Sequence, residues 1–370
     1  MSVYWIIVII VLSLGLIIPE KDIKSRKILI FLLFSVHLFV CGFKYQSLTG
    51  DLIAYQQGFK SLADIKFFSA ETLNNGRNPL WTVFEKIICD LTNGNINVLI
   101  FVHAFIIEFC LAHFVMKYSP KPWFSYLVWD CMSFYLYGFS AMKQALAMAL
   151  LLIAAEGILE KNKVKFFLFT VLAGLVHLPA IIFIIAYWVS QRKLSFGFAL
   201  CYFISLVLVF LFRNPIANYL SENYYEDVYF AEVSEITGGR FFVVLMIVGA
   251  AFIIKGFKEE HFKTMFILIA IAAIPQLLSV YNNVFTRLTD YYLQLTILYF
   301  PLLLTPDKVD SLNYDDSRMG PLVVLNDKSR LLVTIAFTVV LVWWFYMAEM
   351  RFETPNVPQT YYNFSFFWEH

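Results

Sequence analysis

The sequence predicts an all-α polytopic integral membrane protein, and three observations carry that reading. Of the 370 residues 60% are hydrophobic and only 15% charged, with 39 Phe and 21 Tyr. The mean hydropathy is +0.70, far from the balance of a soluble globular chain. Apolar stretches of about 17 to 25 residues, the length a helix needs to cross a bilayer, recur from one end of the chain to the other. No water-soluble domain, Gly/Ser linker or internal repeat interrupts them. Residues 1–370 are therefore expected to form a single transmembrane domain with outer loops at 44–95 and 213–240. A net charge of +1 excludes a globally basic nucleic-acid binder.

Taken in order, the stretches lie near 3–18, 28–43, 96–116, 123–140, 143–159, 165–190, 195–212, 241–254, 263–280, 288–304 and 330–347. They correspond to about 10–12 transmembrane helices. The first has no basic residues ahead of it and no small-residue cleavage site behind, so it reads as a retained anchor. Cys41, Cys89, Cys110, Cys131 and Cys201 show neither C-x-x-C nor zinc spacing and read as small buried hydrophobes. The first connection carries Lys21, Lys24, Arg26 and Lys27. Because short cytoplasmic loops collect Lys and Arg, this loop is expected inside and the amino terminus outside. Lys117 and Lys121, then Lys161, Lys163 and Lys165, follow on the inside.

The stretch 165–190 breaks the count. As one span it would put Arg192, Lys193 and every later basic loop outside. A break at His177-Leu178-Pro179 with a return of the chain keeps them inside. Pro lacks an N–H and disfavours helical geometry in the residue before it, so it supports the break. Non-helical backbone at membrane depth is tolerated only where it packs in protein or lines a wet cavity. The tip with His177 is therefore expected to face a cavity open to the outside.

This topology gathers Lys44, Asp51, Arg77, Lys143, His177, Arg240 and Arg287 at the outer face, where the charge rule discourages basic residues. Lys143 opens a helix whose macrodipole already favours an anion, so an anionic ligand would explain it, while snorkelling to the interface is the plain alternative. His177 at a helix break can exchange protons near neutral pH, whereas His37, His103 and His113 fit helix-to-helix hydrogen bonds. Glu108 and Asp130 are intramembrane carboxylates, either bonded to a neighbouring helix or part of a proton relay. Arg287 and Asp290, at i and i+3, fit a local ion pair as well as a site. The outer loop with Tyr219, Tyr224, Tyr225, Glu226, Asp227, Tyr229 and Phe230 suits either an interfacial aromatic belt or a hydroxyl-rich sugar. Walker A, G-x-G-x-x-G, H-E-x-x-H, G-x-S-x-G and D-x-D motifs are absent, and Asp315-Asp316 falls in an inner loop. Nucleotide-fuelled and metal-centred chemistry are not indicated, so no cofactor and no metal are expected.

A series of short motifs runs along the chain: Gly42-Phe43-Lys44, Gly50-Asp51 with Tyr55, Asn78-Pro79-Leu80-Trp81 opening a helix, and Met142-Lys143-Gln144-Ala145-Leu146-Ala147. Then come Ala173-Gly174-Leu175-Val176-His177-Leu178-Pro179, Arg287-Leu288-Thr289-Asp290-Tyr291-Tyr292 and Asn363-Phe364-Ser365-Phe366-Phe367-Trp368. In order and spacing the chain resembles the EpsG-type, Wzy-like polysaccharide polymerases, with Lys44 and Lys143 where that family usually has Arg and Asn78-Pro79 where it has Glu-Pro. Lys keeps the charge but not the bidentate phosphate geometry.

The resemblance implies a GT-C-like glycosyltransferase of the bacterial inner membrane that polymerises undecaprenyl-pyrophosphate-linked oligosaccharide repeats on the periplasmic face, for O-antigen, capsule or exopolysaccharide. Its partners would be the lipid-linked oligosaccharide, membrane lipid and a chain-length regulator protein, with no nucleic acid. Lys143, Gln144, Arg287, Arg240, Arg77, Lys44 and Tyr55 would then hold substrate. Cations there would stabilise the pyrophosphate as it leaves, and His177 or Asp51 would deprotonate the acceptor hydroxyl. The rival readings are a transporter of polysaccharide or lipid-linked sugar, with Glu108 and His103 carrying protons, and an O-antigen ligase sharing the same donor chemistry.

Overall fold

A computed structural model of the chain describes residues 3–20, 22–46, 49–65, 78–224, 239–279, 285–306, 321–352 and 364–369. It is helical, with a β-bridge joining Lys44 to Phe366. The helices are α1 Val3–Ile17, α2 Ile23–Gly42, α3 Gly50–Ser61, α4 Pro79–Thr92, α5 Ile96–Tyr118, α6 Pro122–Cys131, α7 Met142–Leu159 and α8 Lys163–Val176. They continue with α9 Ala186–Ser190, α10 Phe196–Leu211, α11 Arg213–Tyr224, α12 Gly239–Ile254, α13 Glu260–Leu278, α14 Thr286–Leu293, α15 Thr296–Leu303 and α16 Asp327–Phe352. The chain divides into two compact units, Met1–Ile181 with Leu331–His370, and Ile182–Arg330.

Helices α2, α5, α7, α13 and α16 are individually long and apolar enough to cross a membrane. Helices α10 and α11 form a bent pair at 72°, and α1, Leu178–Ser190 and Arg240–Ile254 are shorter apolar helices. The chain is thus an all-α polytopic membrane protein, but several of the expected spans are broken rather than continuous. The stretch 123–140 divides at Ser133, which adopts φ 65°, into α6 and a 3₁₀ turn, Tyr135–Phe139. The stretch 288–304 divides into α14 and α15. There Thr296 Oγ1 donates to the Leu293 carbonyl at 2.7 Å and Gln294 Nε2 to the Tyr291 carbonyl at 3.2 Å, so side chains compete for the acceptors a continuous helix would use.

In the first unit three helix ends share one chemistry. Asn93, Ser133 and Lys161 take positive φ after α4, α6 and α7. In each case the N–H of the next residue bonds five positions back: Gly94 to Cys89, Phe134 to Trp129 and Asn162 to Gly157, at 2.9, 3.1 and 2.8 Å. These are Schellman closures, which satisfy carbonyls that a helix end would leave bare. The last turns α7 tightly into α8. A Cβ on Gly157 would lie 2.6 Å from the Phe166 backbone nitrogen, so glycine is what allows the approach. The Glu156 carboxylate, fully buried at this end, accepts from Lys117 and Lys165, both at 2.5 Å, and faces His113 Nε2 at 3.2 Å. Glu160 pairs with Lys165 at 3.1 Å and with Lys117, so α5, α7 and α8 are tied by one ionic network.

The break expected at His177 is present. Helix α8 stops at Val176, His177 is extended (φ −148°), and a 3₁₀ helix, Leu178–Ile185, leads into α9. A Cβ on Gly174 would lie 3.1 Å from Ile181 Cδ1 and 3.4 Å from its Cβ. Along a continuing helix residues seven apart are ~10.5 Å apart, so the chain turns back on itself here.

Candidate functional site

In the first unit the start of α7 is where the chemistry concentrates. The residue preceding α7 is Ala141, whose side chain cannot cap the helix, so the first-turn amides have no capping side chain from the chain just before them. Lys143, half-buried, places its ammonium 5.6 Å from the centroid of the Tyr55 ring. Its N–H points to the Tyr55 hydroxyl at 3.4 Å, at the long end for such a bond. Tyr55 comes from α3, which Thr49 starts by accepting the Leu52 N–H and by donating its own hydroxyl to the Phe139 carbonyl at 3.1 Å.

Behind Tyr55 the Trp81 ring lies at 5.5 Å and the His103 ring 6.0 Å beyond Trp81. His103 Nε2 donates to the Met142 carbonyl at 2.9 Å, which leaves Nδ1 as a bare acceptor. His103 Nδ1 and both amide atoms of Gln144 are buried without a partner in the protein, while Trp81 bears on the carboxylate of Glu85. An orphaned buried polar group costs about 1–3 kcal/mol, so three such atoms around one helix start mark a place built for a polar ligand. Gln144 is only 1% exposed.

Glu85 completes the group. It sits on α4 four residues after Trp81, hence on the same face, and is 7% exposed. At 14 residues α4 is outside the set of spanning helices. Burial pushes the Glu85 carboxyl up to about 7, against the pull of the nearby Lys143 ammonium. The sequence gives a helix start at Asn78-Pro79 within the expected outer loop 44–95 but does not single out Glu85. The signal available was Trp81, Glu85 and Ile88 recurring at helical spacing after a Pro.

The other expected site residues fall in different surroundings. His177 is half-buried at the end of α8, where the Leu178 N–H donates to Asn78 Oδ1 at 3.0 Å. Asn78 thus leaves its own helix uncapped and ties the start of α4 to the break. Asp51 is exposed in the first turn of α3, one turn from Tyr55. Lys44 is fully buried: its Nζ donates to the Cys41 carbonyl at 2.9 Å and lies 5.3 Å from the Phe139 ring centroid. It therefore caps the carbonyl end of α2, where a cation also suits the macrodipole. Over it runs the segment Phe364–Glu369. The Tyr45 N–H donates to the Ser365 carbonyl at 2.8 Å and the Phe367 N–H to the Phe43 carbonyl at 3.1 Å. Phe366 and Trp368 stack at 4.5 Å beside Phe39. Arg77 lies outside the described residues, as does 225–238 of the second outer loop.

In the second unit Arg240 of α12 pairs through Nη2 with Asp290 Oδ1 of α14. Asp290 is buried, so its carboxylate draws its countercharge from another helix rather than only from the i, i+3 position considered above. Arg287 is half-buried in the first turn of α14. Two tyrosines of this unit hold backbone: Tyr292 donates to the Ile182 carbonyl at 2.7 Å and Tyr299 to the Ile247 carbonyl at 2.6 Å. A cavity of about 1030 Å³ lined by Tyr202, Phe252, Phe266, Lys193 and Lys263 contains none of the expected site residues. Its aromatic walls suit a lipid chain.

A family model described as the EpsG family matches residues 27–312, well over half of the chain. No curated protein and no solved structure matches.

Proposed function

The chain belongs to the EpsG family, and from that premise we propose that it polymerises polysaccharide by glycosyl transfer between polyprenyl-pyrophosphate-linked oligosaccharide repeats, at the outer face of the bacterial inner membrane. The observation that carries the reading is the cluster at the start of α7: a cation, a buried carboxylate and three buried hydrogen-bonding atoms without protein partners, set among aromatic rings. Such a set suits a hydroxyl-rich substrate bearing phosphate. Donors and acceptors meet hydroxyls, ring faces pack on the sugar's C–H face, and the helix start with Lys143 meets negative charge.

In the reaction the acceptor hydroxyl attacks the anomeric carbon of the growing chain, and the pyrophosphate leaves with the bonding pair. Negative charge grows on that leaving group, so a cation already in place stabilises the transition state more than the ground state. Lys143 fills this role, with Arg287 as the second candidate. The bases that the sequence nominates for the hydroxyl proton are His177 and Asp51.

The test is elongation. Purified protein supplied with lipid-linked repeat units alone should lengthen them, and Lys143→Ala should slow the reaction by roughly 10²-fold or more, in line with removal of one transition-state electrostatic contact. A folded wild-type protein that fails to lengthen them overturns the reading. Elongation from repeat units alone also separates a polymerase from a ligase, which needs a different acceptor.

One observation favours transport instead. His37 Nε2 meets Asp130 Oδ1 at 3.0 Å inside the first unit, and Glu108, also fully buried, has neither carboxyl oxygen bonded to protein. Glu108→Gln separates the readings, because it should leave elongation intact in a polymerase and abolish substrate movement in a proton-coupled carrier.

A further inference from the structure

We propose that Glu85 is the catalytic residue that accepts the proton of the acceptor sugar's hydroxyl, an assignment that rests on the polymerase reading above. In the step, the acceptor oxygen forms its bond to the anomeric carbon while the bond from that carbon to the pyrophosphate oxygen breaks. The leaving pyrophosphate takes the bonding pair and the hydroxyl proton passes to the Glu85 carboxylate, so charge and atoms balance.

The geometry singles out Glu85 over the two groups the sequence nominated. A general base must share the pocket that holds the reacting hydroxyl. Glu85 lies on the Trp81 face of α4, under the influence of Trp81 and of the Lys143 charge, and the Trp81 ring packs against His103, whose Nδ1 has no protein partner. No direct ion pair holds its carboxylate among the described residues. Asp51 is exposed on α3. His177 is anchored through Leu178 to Asn78, about 10 Å back along α4 from Glu85.

The charged group that acts on Glu85 from a packed helix is Lys143 on α7, and Tyr55 of α3 and His103 of α5 flank the Trp81 ring on the same face of α4. On its own helix Lys86 is paired with Asp90 at 2.5 Å. Burial is the dominant influence on the carboxyl and holds it near 7, where a base is both available and basic enough to work at neutral pH.

The experiment measures elongation by wild type, Glu85→Gln and Glu85→Asp against pH, with binding of the lipid-linked repeat measured separately at equilibrium. Wild-type kcat should rise with pH through about 7, the deprotonation of Glu85. Glu85→Gln, close in shape, should lower kcat by roughly 10²–10⁴-fold while substrate binding and melting temperature stay near wild type. Glu85→Asp should recover part of the rate on a pH limb moved to lower values. If Glu85→Gln elongates at the wild-type rate with the same limb, the assignment is wrong although the polymerase reading stands. If wild type does not elongate, both fall. If Glu85→Gln fails to bind substrate or melts early while Glu85→Asp keeps the wild-type pH limb, Glu85 is a structural residue and the assignment is wrong.

Discussion

At the scale of single residues, the same side chain types do different work according to where their partners lie. Lys44 and Lys143 both stand where the sequence suggested an anion-binding cation. Lys44 is buried on the carbonyl end of α2 under the Phe364–Glu369 segment, whereas Lys143 sits half-buried at a helix start among unpartnered polar atoms. Arg240 is committed to Asp290. Arg240→Ala should therefore destabilise the protein by up to about 3–5 kcal/mol, because it removes an ion-pair partner of a buried carboxylate. Replacing both partners with apolar residues should cost far less, and denaturation of wild type and the two variants in detergent checks this. Glu20, in the connection after α1, is held up to about 7, first by burial and despite the Trp123 N–H it accepts at 3.2 Å. Its folded carboxyl keeps a proton that the unfolded one releases near 4.5. This contribution to stability is therefore complete below about 4.5 and is lost as pH rises through about 7. Melting temperatures from pH 4 to 8 should show that fall in wild type and a flatter profile in Glu20→Gln.

At the scale of elements, breaks and close approaches matter more than the helices themselves. The α7–α8 turn depends on Gly157, where a side chain would meet backbone that cannot move aside. Gly157→Val should cost about 1–3 kcal/mol as overpacking, seen as a lower melting temperature with no change in substrate affinity of the folded fraction. The break at His177 depends on the Asn78 bond to Leu178. Asn78→Ala should cost about 1 kcal/mol, the usual value of a lost capping bond. It should also raise hydrogen exchange at Leu178 more than at the middle of α8. The break was legible because Pro179 and the distribution of Lys and Arg both demanded it, and Pro acts locally. The divisions at Ser133 and at Gln294–Leu295 were not legible. Apolar composition persists through them, and the side chains that compete for backbone carbonyls look like ordinary polar residues in a span.

At the scale of the whole molecule, the alternation of inner and outer loops remains the frame of the proposal. Reporter domains fused after Lys161 and within 66–76 should report opposite sides of the membrane, and the same side for both would remove the outer cavity from the argument. By itself the sequence determined the class and most of the elements: hydropathy and length are enough to specify which segments leave water, and the family motifs specify the kind of chemistry. It also nominated Lys143, Gln144 and Tyr55, which meet at the start of α7. Only the tertiary structure decided that Glu85, Trp81 and His103 join them, that Lys44 serves the end of α2 and that Arg240 belongs to Asp290. The physical reason is that hydropathy is a property of one segment read alone. Whether a buried charge or amide is satisfied depends on which groups other helices bring to it, and those groups lie tens of residues away in the chain.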